Sequence, residues 1–172
     1  MPQLTPDAQA RASKQDRELR VMYIKPYIDA ADAETTPWYR LGFDNDDLTR
    51  TIGWDTESVQ NVWGITVTSN TRGDETISLD PLYMREGDPM SLLVQHLDVA
   101  KADLDDIKRP YAEAKLDREG NVIFAFIQTV DVMVQSAGGT SSNADNLPVE
   151  IVLSGARQTA DYDIATEEFT PI

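Results

Sequence analysis

Along Thr76–Leu97 the spacing of apolar positions changes period, and the rest of the chain is read outward from that change. Ile77 and Leu79 alternate with Thr76, Ser78 and Asp80, the two-residue period of a half-buried strand. Pro81 has no amide proton to give a ladder, so the strand is expected to stop there. Gly87-Asp88-Pro89 then supplies a helix start, with Asp88 as N-cap and Pro89 at the first helical position, where a missing N–H costs nothing. Met90, Leu93, Val94 and Leu97 follow at spacings of three and four and make one apolar stripe. The spacing predicts a helix over about 88–104. Asp103, Asp105 and Asp106 oppose the dipole at its C-terminus, so a fray or break is expected there.

The other segments read as β-structure. Arg20–Ile28 is apolar and β-branched enough for a first strand, with Pro26 marking an edge or a bend. Pro37–Phe43 is aromatic and reads as a second strand. It leads into a long polar loop, Phe43–Glu57, that holds the acidic residues Asp44, Asp46 and Asp47 and also Trp54. Asn61–Ser69 alternates, Asn70–Asp74 has turn composition, and Thr76–Asp80 is expected to return as the partner strand of a hairpin. Tyr111–Leu116 reads as a short exposed strand. Val122–Val134 is the longest strand-like run, and Ile123, Ala125 and Ile127 make its first half apolar on both sides. Such a strand is either covered twice or lies at a subunit interface. Ser136–Asn146 is a flexible loop by composition, Pro148–Leu153 a strand, and Ala156–Glu167 one more strand ending in an acidic tail.

Composition narrows the chemistry. The 172 residues suit one domain, with an arm at 1–19, a β-domain at 20–155 and a C-terminal segment at 156–172. No apolar run is long enough to span a bilayer and no signal peptide is recognised at Met1, which gives the expectation of a soluble, cytoplasm-like setting. The absence of cysteine removes disulfides, zinc–thiolate sites and thiol nucleophiles together. His96 is the single histidine and falls beside the apolar stripe of the helix, where a boundary residue is expected. The net charge of −15 argues against a grip on nucleic acid and against anionic membranes. It is unevenly spread: Arg11, Lys14 and Arg17 belong to a basic head, and Asp161, Glu167 and Glu168 to an acidic tail that could pair with it between copies.

No nucleophile elbow, P-loop, dinucleotide fingerprint or zinc-protease motif occurs, and no carboxylate pair stands out for glycosidase-type chemistry. An EF-hand loop starting at Asp44 would need Gly and Glu where Thr49 and Asp55 stand, so the acidic residues are read as an exposed loop. Neither catalytic nor metal-binding residues nor a cofactor is expected. Trp54, Ile123 and Ile127 join the head and tail charges as candidates for self-assembly.

Two β-regions flanking a capped helix, a loose arm, a long acidic loop and no active site together resemble the tail tube proteins, the major tail proteins of long-tailed bacteriophages. The likeness is carried by Val62–Asp80, by Pro81–Leu97 with its Gly87-Asp88-Pro89 start, by Val122–Val134 and by Ser136–Leu153. The resemblance implies a mainly β, sandwich- or barrel-like fold with one packed helix. Six copies would close a ring edge to edge, and rings would stack through Met1–Leu19, Phe43–Glu57 and Ala156–Ile172. Partners would be further copies, tape measure and tail-tip proteins, and double-stranded DNA passing through the lumen, in a phage tail assembled in the host cytoplasm. An acidic lumen suits a conduit, since it repels phosphates and does not hold its cargo. Alternatives are another ring-forming virion protein (tail completion or capsid decoration) and a monomeric acidic β-sandwich that binds a small ligand.

Overall fold

The chain folds around β6 (Val122–Val134), which carries a core on each of its faces. The computed structural model describes residues 20–43, 45, 47–138 and 145–172, and Arg11, Lys14, Arg17, Asp44, Asp46 and most of the Gly-Ser loop lie outside them. Before β6 come β1 (Arg20–Ile24), β2 (Tyr39–Arg40), β3 (Arg50–Gln60), β4 (Thr66–Leu79), α1 (Pro89–Ala100) and β5 (Lys108–Leu116); after it come β7 (Val149–Leu153), β8 (Gln158–Asp163) and β9 (Glu168–Pro171). The strands pair antiparallel in the order β2-β1-β5-β6-β7-β4-β3. β8 joins the outer side of β6 at Phe126 and Ile127, below the stretch that β7 occupies, and carries β9 with it. The fold is mainly β with one packed helix, as the periodicity predicts.

The larger core lies under α1. Met90, Leu93, Val94 and Leu97 of the helix are buried against Met22, Ile24, Ile77, Leu79, Tyr111, Val130, Val132 and Ile151 of the sheet. Asp88 caps the helix by accepting from the Ser91 amide at 2.8 Å, and Pro89 fills the first turn. The helix stops at Ala100, short of 104, because Lys101 turns left-handed and the amides of Lys101 and Ala102 bond back to Asp98 and Leu97.

The second core explains the two-sided apolar half of β6. Ala125 faces away from the helix and packs with Val21, Tyr23, Ala112, Ala114, Ala160, Tyr162 and Phe169. The β8–β9 hairpin therefore covers this face, and Glu168–Pro171 is a strand anchored by buried Phe169 where the composition suggested an acidic tail.

Three local expectations are corrected. The loop placed at Phe43–Glu57 gives way to β3 from Arg50 onward, so Trp54 stands on a strand. Asn70–Asp74 is no turn: it runs through the middle of the 14-residue β4, and the hairpin reverses at 61–65 instead. The expected exposed strand Tyr111–Leu116 begins at Lys108 and is buried from Tyr111 to Lys115.

Candidate assembly surface

β3 and β4 form a hairpin that leaves the rest of the molecule. β4 pairs with β7 only over Glu75–Leu79, while Thr66–Arg72 pairs with β3 alone. Residues 66–74, the nine of β4 that precede its pairing with β7, correspond to a projection of about 30 Å. The turn is tightly made. The Asn61 side chain accepts from the amides of Trp63 and Ile65, each at 3.0 Å, and Gly64 takes φ +76°. Val62 and Trp63 are thereby held at the tip, 96% and 83% exposed, with Val59, Ile65 and Val67 exposed beside them. A two-stranded ribbon with no covered face is marginal in water. Isolated exposed side chains need no explanation, but five apolar ones on such a ribbon make it a candidate contact surface.

An ionic clamp fixes the base of the hairpin. Glu75 of β4 pairs with Arg50, Arg157 and Arg72, the last at 2.7 Å. Arg50 also lies 3.1 Å from Glu113, which is fully enclosed and receives Arg20 at 3.0 Å and the Tyr111 hydroxyl at 3.0 Å. Arg157 lies over the Phe126 ring at 4.5 Å. Burial alone would raise the Glu75 carboxyl; the hydrogen bond and charge of Arg50, then the charges of Arg157 and Arg72, outweigh it and hold the group below the usual carboxylate range. Burial, followed by the charge of Glu113, pushes the Tyr111 hydroxyl well up. Gly53 opposes Arg72–Asp74 at a bulge just above this clamp, where a Cβ would meet the Asp74 carbonyl at 2.9 Å.

The remaining sequence-nominated residues scatter. Trp54 stands near the hairpin base and is exposed. Ile123 is half exposed at the start of β6, and Ile127 packs beside the second core and pairs with Gln158. Asp161 and Glu168 are exposed on the C-terminal hairpin. Glu167 has a local partner: Tyr23 donates to it at 3.0 Å, so Tyr162 donates to Tyr23 at 3.0 Å. Burial and these neighbours push the Tyr23 hydroxyl far above its usual range. Asp47 accepts from Thr49 and is exposed, and among the described residues no three His, Asp or Glu side chains converge to hold a metal. Sequence reading missed the tip and the clamp. The signal available for the tip was Ser58–Thr71, fourteen residues without a charge in a chain of net charge −15.

Two cavities open at the other end of the sheet. One of about 460 Å³ lies between the end of α1 and Tyr27–Ala30, where Arg109 is buried under three backbone carbonyls. The other, of about 390 Å³, lies between α1, the loop after it and the end of β6. No helix among the described residues is long and apolar enough to cross a membrane.

No protein-family model matches the sequence, and no curated protein matches it. Solved structures do. Hcp1 from Salmonella typhimurium aligns over 88% of this chain and 99% of its own at 14% identity, with a TM-score of 0.34 that is too low to carry an argument. The anti-feeding prophage cap, described as a tube-terminating cap, aligns over 87% of this chain and 93% of its own at 12% identity and a TM-score of 0.51, and the two chains share a fold.

Proposed function

We propose that this chain is a structural, non-enzymatic subunit that assembles into rings of a phage-like tube. The observation that carries the reading is the fold shared with the anti-feeding prophage tube-terminating cap over nearly the whole of both chains. The free-standing hairpin supports it, because a surface that is unstable alone acquires a use in a polymer. So do the outer edges at β2 and β3, whose unpaired backbone groups can extend a sheet into a neighbouring copy. In the fuller form, hexameric rings stack into the tail tube of a long-tailed phage, with tape measure and tail-tip proteins as partners and DNA in an acidic lumen. At six copies the net charge of −15 becomes about −90 per ring, which repels a phosphate backbone. A second reading, a single ring that ends a tube, is favoured by the described role of the matched cap.

Negative-stain electron microscopy with light scattering on the concentrated full-length protein tests both. Stacked tubes support the tube subunit, and isolated single rings that bind the end of a preformed tube support the terminator. A protein that stays monomeric and adds to no tube overturns the proposal.

A further inference from the structure

We infer that the Val62-Trp63 tip of one copy seats in the 390 Å³ cavity beside α1 of the next copy, end to end. This rests on the ring-forming reading and names its contact.

Strand register sets the two features at opposite ends. Thr76 of β4, Val152 of β7, Asp131 of β6 and Lys108 of β5 lie in one row across the sheet. The hairpin tip lies ten residues from that row in one direction, a reach of about 30 Å. Val132 and Val134, which line the cavity, lie on the other side of the row, with Ile107 and Leu97 beside them. A knob at one end and a hole at the other make a head-to-tail contact, which repeats into a ring or a stack and is never satisfied within one pair.

The chemistry of the two surfaces matches. Leu97, Ala102, Leu104, Ile107, Val132 and Val134 form the apolar part of the cavity's lining, Lys101 stands on it beside Asp98 and Asp103, and Leu104 is 78% exposed. The cavity's volume admits an indole with a valine beside it. Asp98 and Asp103 stand on its lining as acceptors for the indole N–H, which has to find a partner when buried. Charge selects the partner. Two copies at −15 repel one another, and the approaching element is the longest uncharged run in the chain, Ser58–Thr71. An exposed tryptophan beside a valine on a pre-formed turn is also the type of anchor that dominates binding energy.

The chain has no cysteine, so a pair can be installed cleanly. Full-length Val62→Cys is mixed with full-length Leu104→Cys and treated with a short bismaleimide, while the wild type and Val62→Ser/Trp63→Ser are followed by light scattering and electron microscopy. The inference expects a cross-linked dimer from the mixture and none from either variant alone. It also expects the double tip variant, with an unchanged thermal melt, to need about thirtyfold or more protein to assemble. Leu104→Asp is expected to act in the same way. Wild-type rings or tubes with no tip-to-cavity cross-link, or a tip variant that assembles normally, overturn the docking and leave the ring reading standing. A wild type that never associates overturns both. Monomers whose tip inserts into phosphatidylcholine vesicles, read as a Trp63-dependent blue shift, replace a second copy with a bilayer and overturn the docking.

Discussion

Arg50 of β3 lies 3.1 Å from Glu113 of β5, although β6, β7 and β4 stand between those strands in the sheet. The sheet therefore rolls until its edge strand reaches back over its middle, where an ion pair, with no backbone ladder, joins β3 to β5. Glu113 is fully enclosed and the Arg50 side chain is 9% exposed, so the pair has lost nearly all its water. Removing one partner of such a pair strands the other's charge. Arg50→Met is expected to cost about 3–5 kcal/mol in urea unfolding. A loss under about 1 kcal/mol, the worth of a surface pair, means that the roll is held by something else.

Acid should loosen the hairpin base first. The Glu75 carboxyl is held below its ordinary value of 4.5 by Arg50, Arg157 and Arg72, against the effect of burial. The unfolded chain then takes the proton before the folded one. The stabilisation is complete above the ordinary value and drains away as the pH falls through the lower folded value. Unfolding free energy measured from about pH 6 to pH 3 should fall more steeply for the wild type than for Glu75→Gln. Parallel curves for the two proteins refute the assignment.

Phe169 seats the C-terminal hairpin among three other aromatic rings. The Phe169 ring lies 4.6 Å from that of Tyr162, 5.3 Å from Trp38 and 5.5 Å from Tyr23. Phe169→Ala is expected to cost about 3–5 kcal/mol. It should also increase binding of a dye such as ANS as the second face of β6 opens. Unchanged dye binding would show that the hairpin stays down without its anchor.

The helix cap gives a milder test. Asp88 accepts from the Ser91 amide and hydroxyl and from the Tyr39 hydroxyl, at 2.8, 2.9 and 2.9 Å. Asp88→Ala should cost about 1–2 kcal/mol, and Asp88→Asn much less. Hydrogen exchange at Ser91 reports the cap directly, and equal protection in all three proteins argues against it.

Gly155 marks the handover from β7 to β8. Its amide donates to the Thr129 carbonyl at 3.0 Å, and a Cβ there would meet the Thr129 side chain at 2.9 Å and its amide nitrogen at 3.0 Å. Gly155→Ala must move backbone, at about 1–3 kcal/mol by thermal or chemical melt. A neutral result would mean that this junction yields freely.

The elements that bury one face against the core were legible as sequence. β6 begins and ends at Val122 and Val134 as its run of apolar residues predicts, and the Asp88-Pro89 start of α1 follows from capping chemistry alone. β5 was misread because Glu113 and Lys115 are polar yet buried, and polarity signals exposure unless the ionic partner, 63 positions away for Arg50, is known. β3 was missed because after Arg50 all its residues but Gly53 are exposed, so no alternation marks it. Arg72-Gly73-Asp74 has the composition of a turn and serves as a bulge, a distinction set by Gly53 across the ladder. Trp54, Ile123 and Ile127 were nominated for self-assembly by hydrophobicity alone, whereas the Val62-Trp63 tip was read as part of a strand.

The register row through Thr76, Val152, Asp131 and Lys108 also determines how the molecule answers force. A pull from the hairpin tip to the end beside α1 runs parallel to β4, β7, β6 and β5, so the ladders between them are loaded in shear and must break many hydrogen bonds together. A pull across the sheet would peel them one at a time. The chain is thus stiff along its strands and weak across them, and a column of copies joined end to end would transmit load along its stiffest direction.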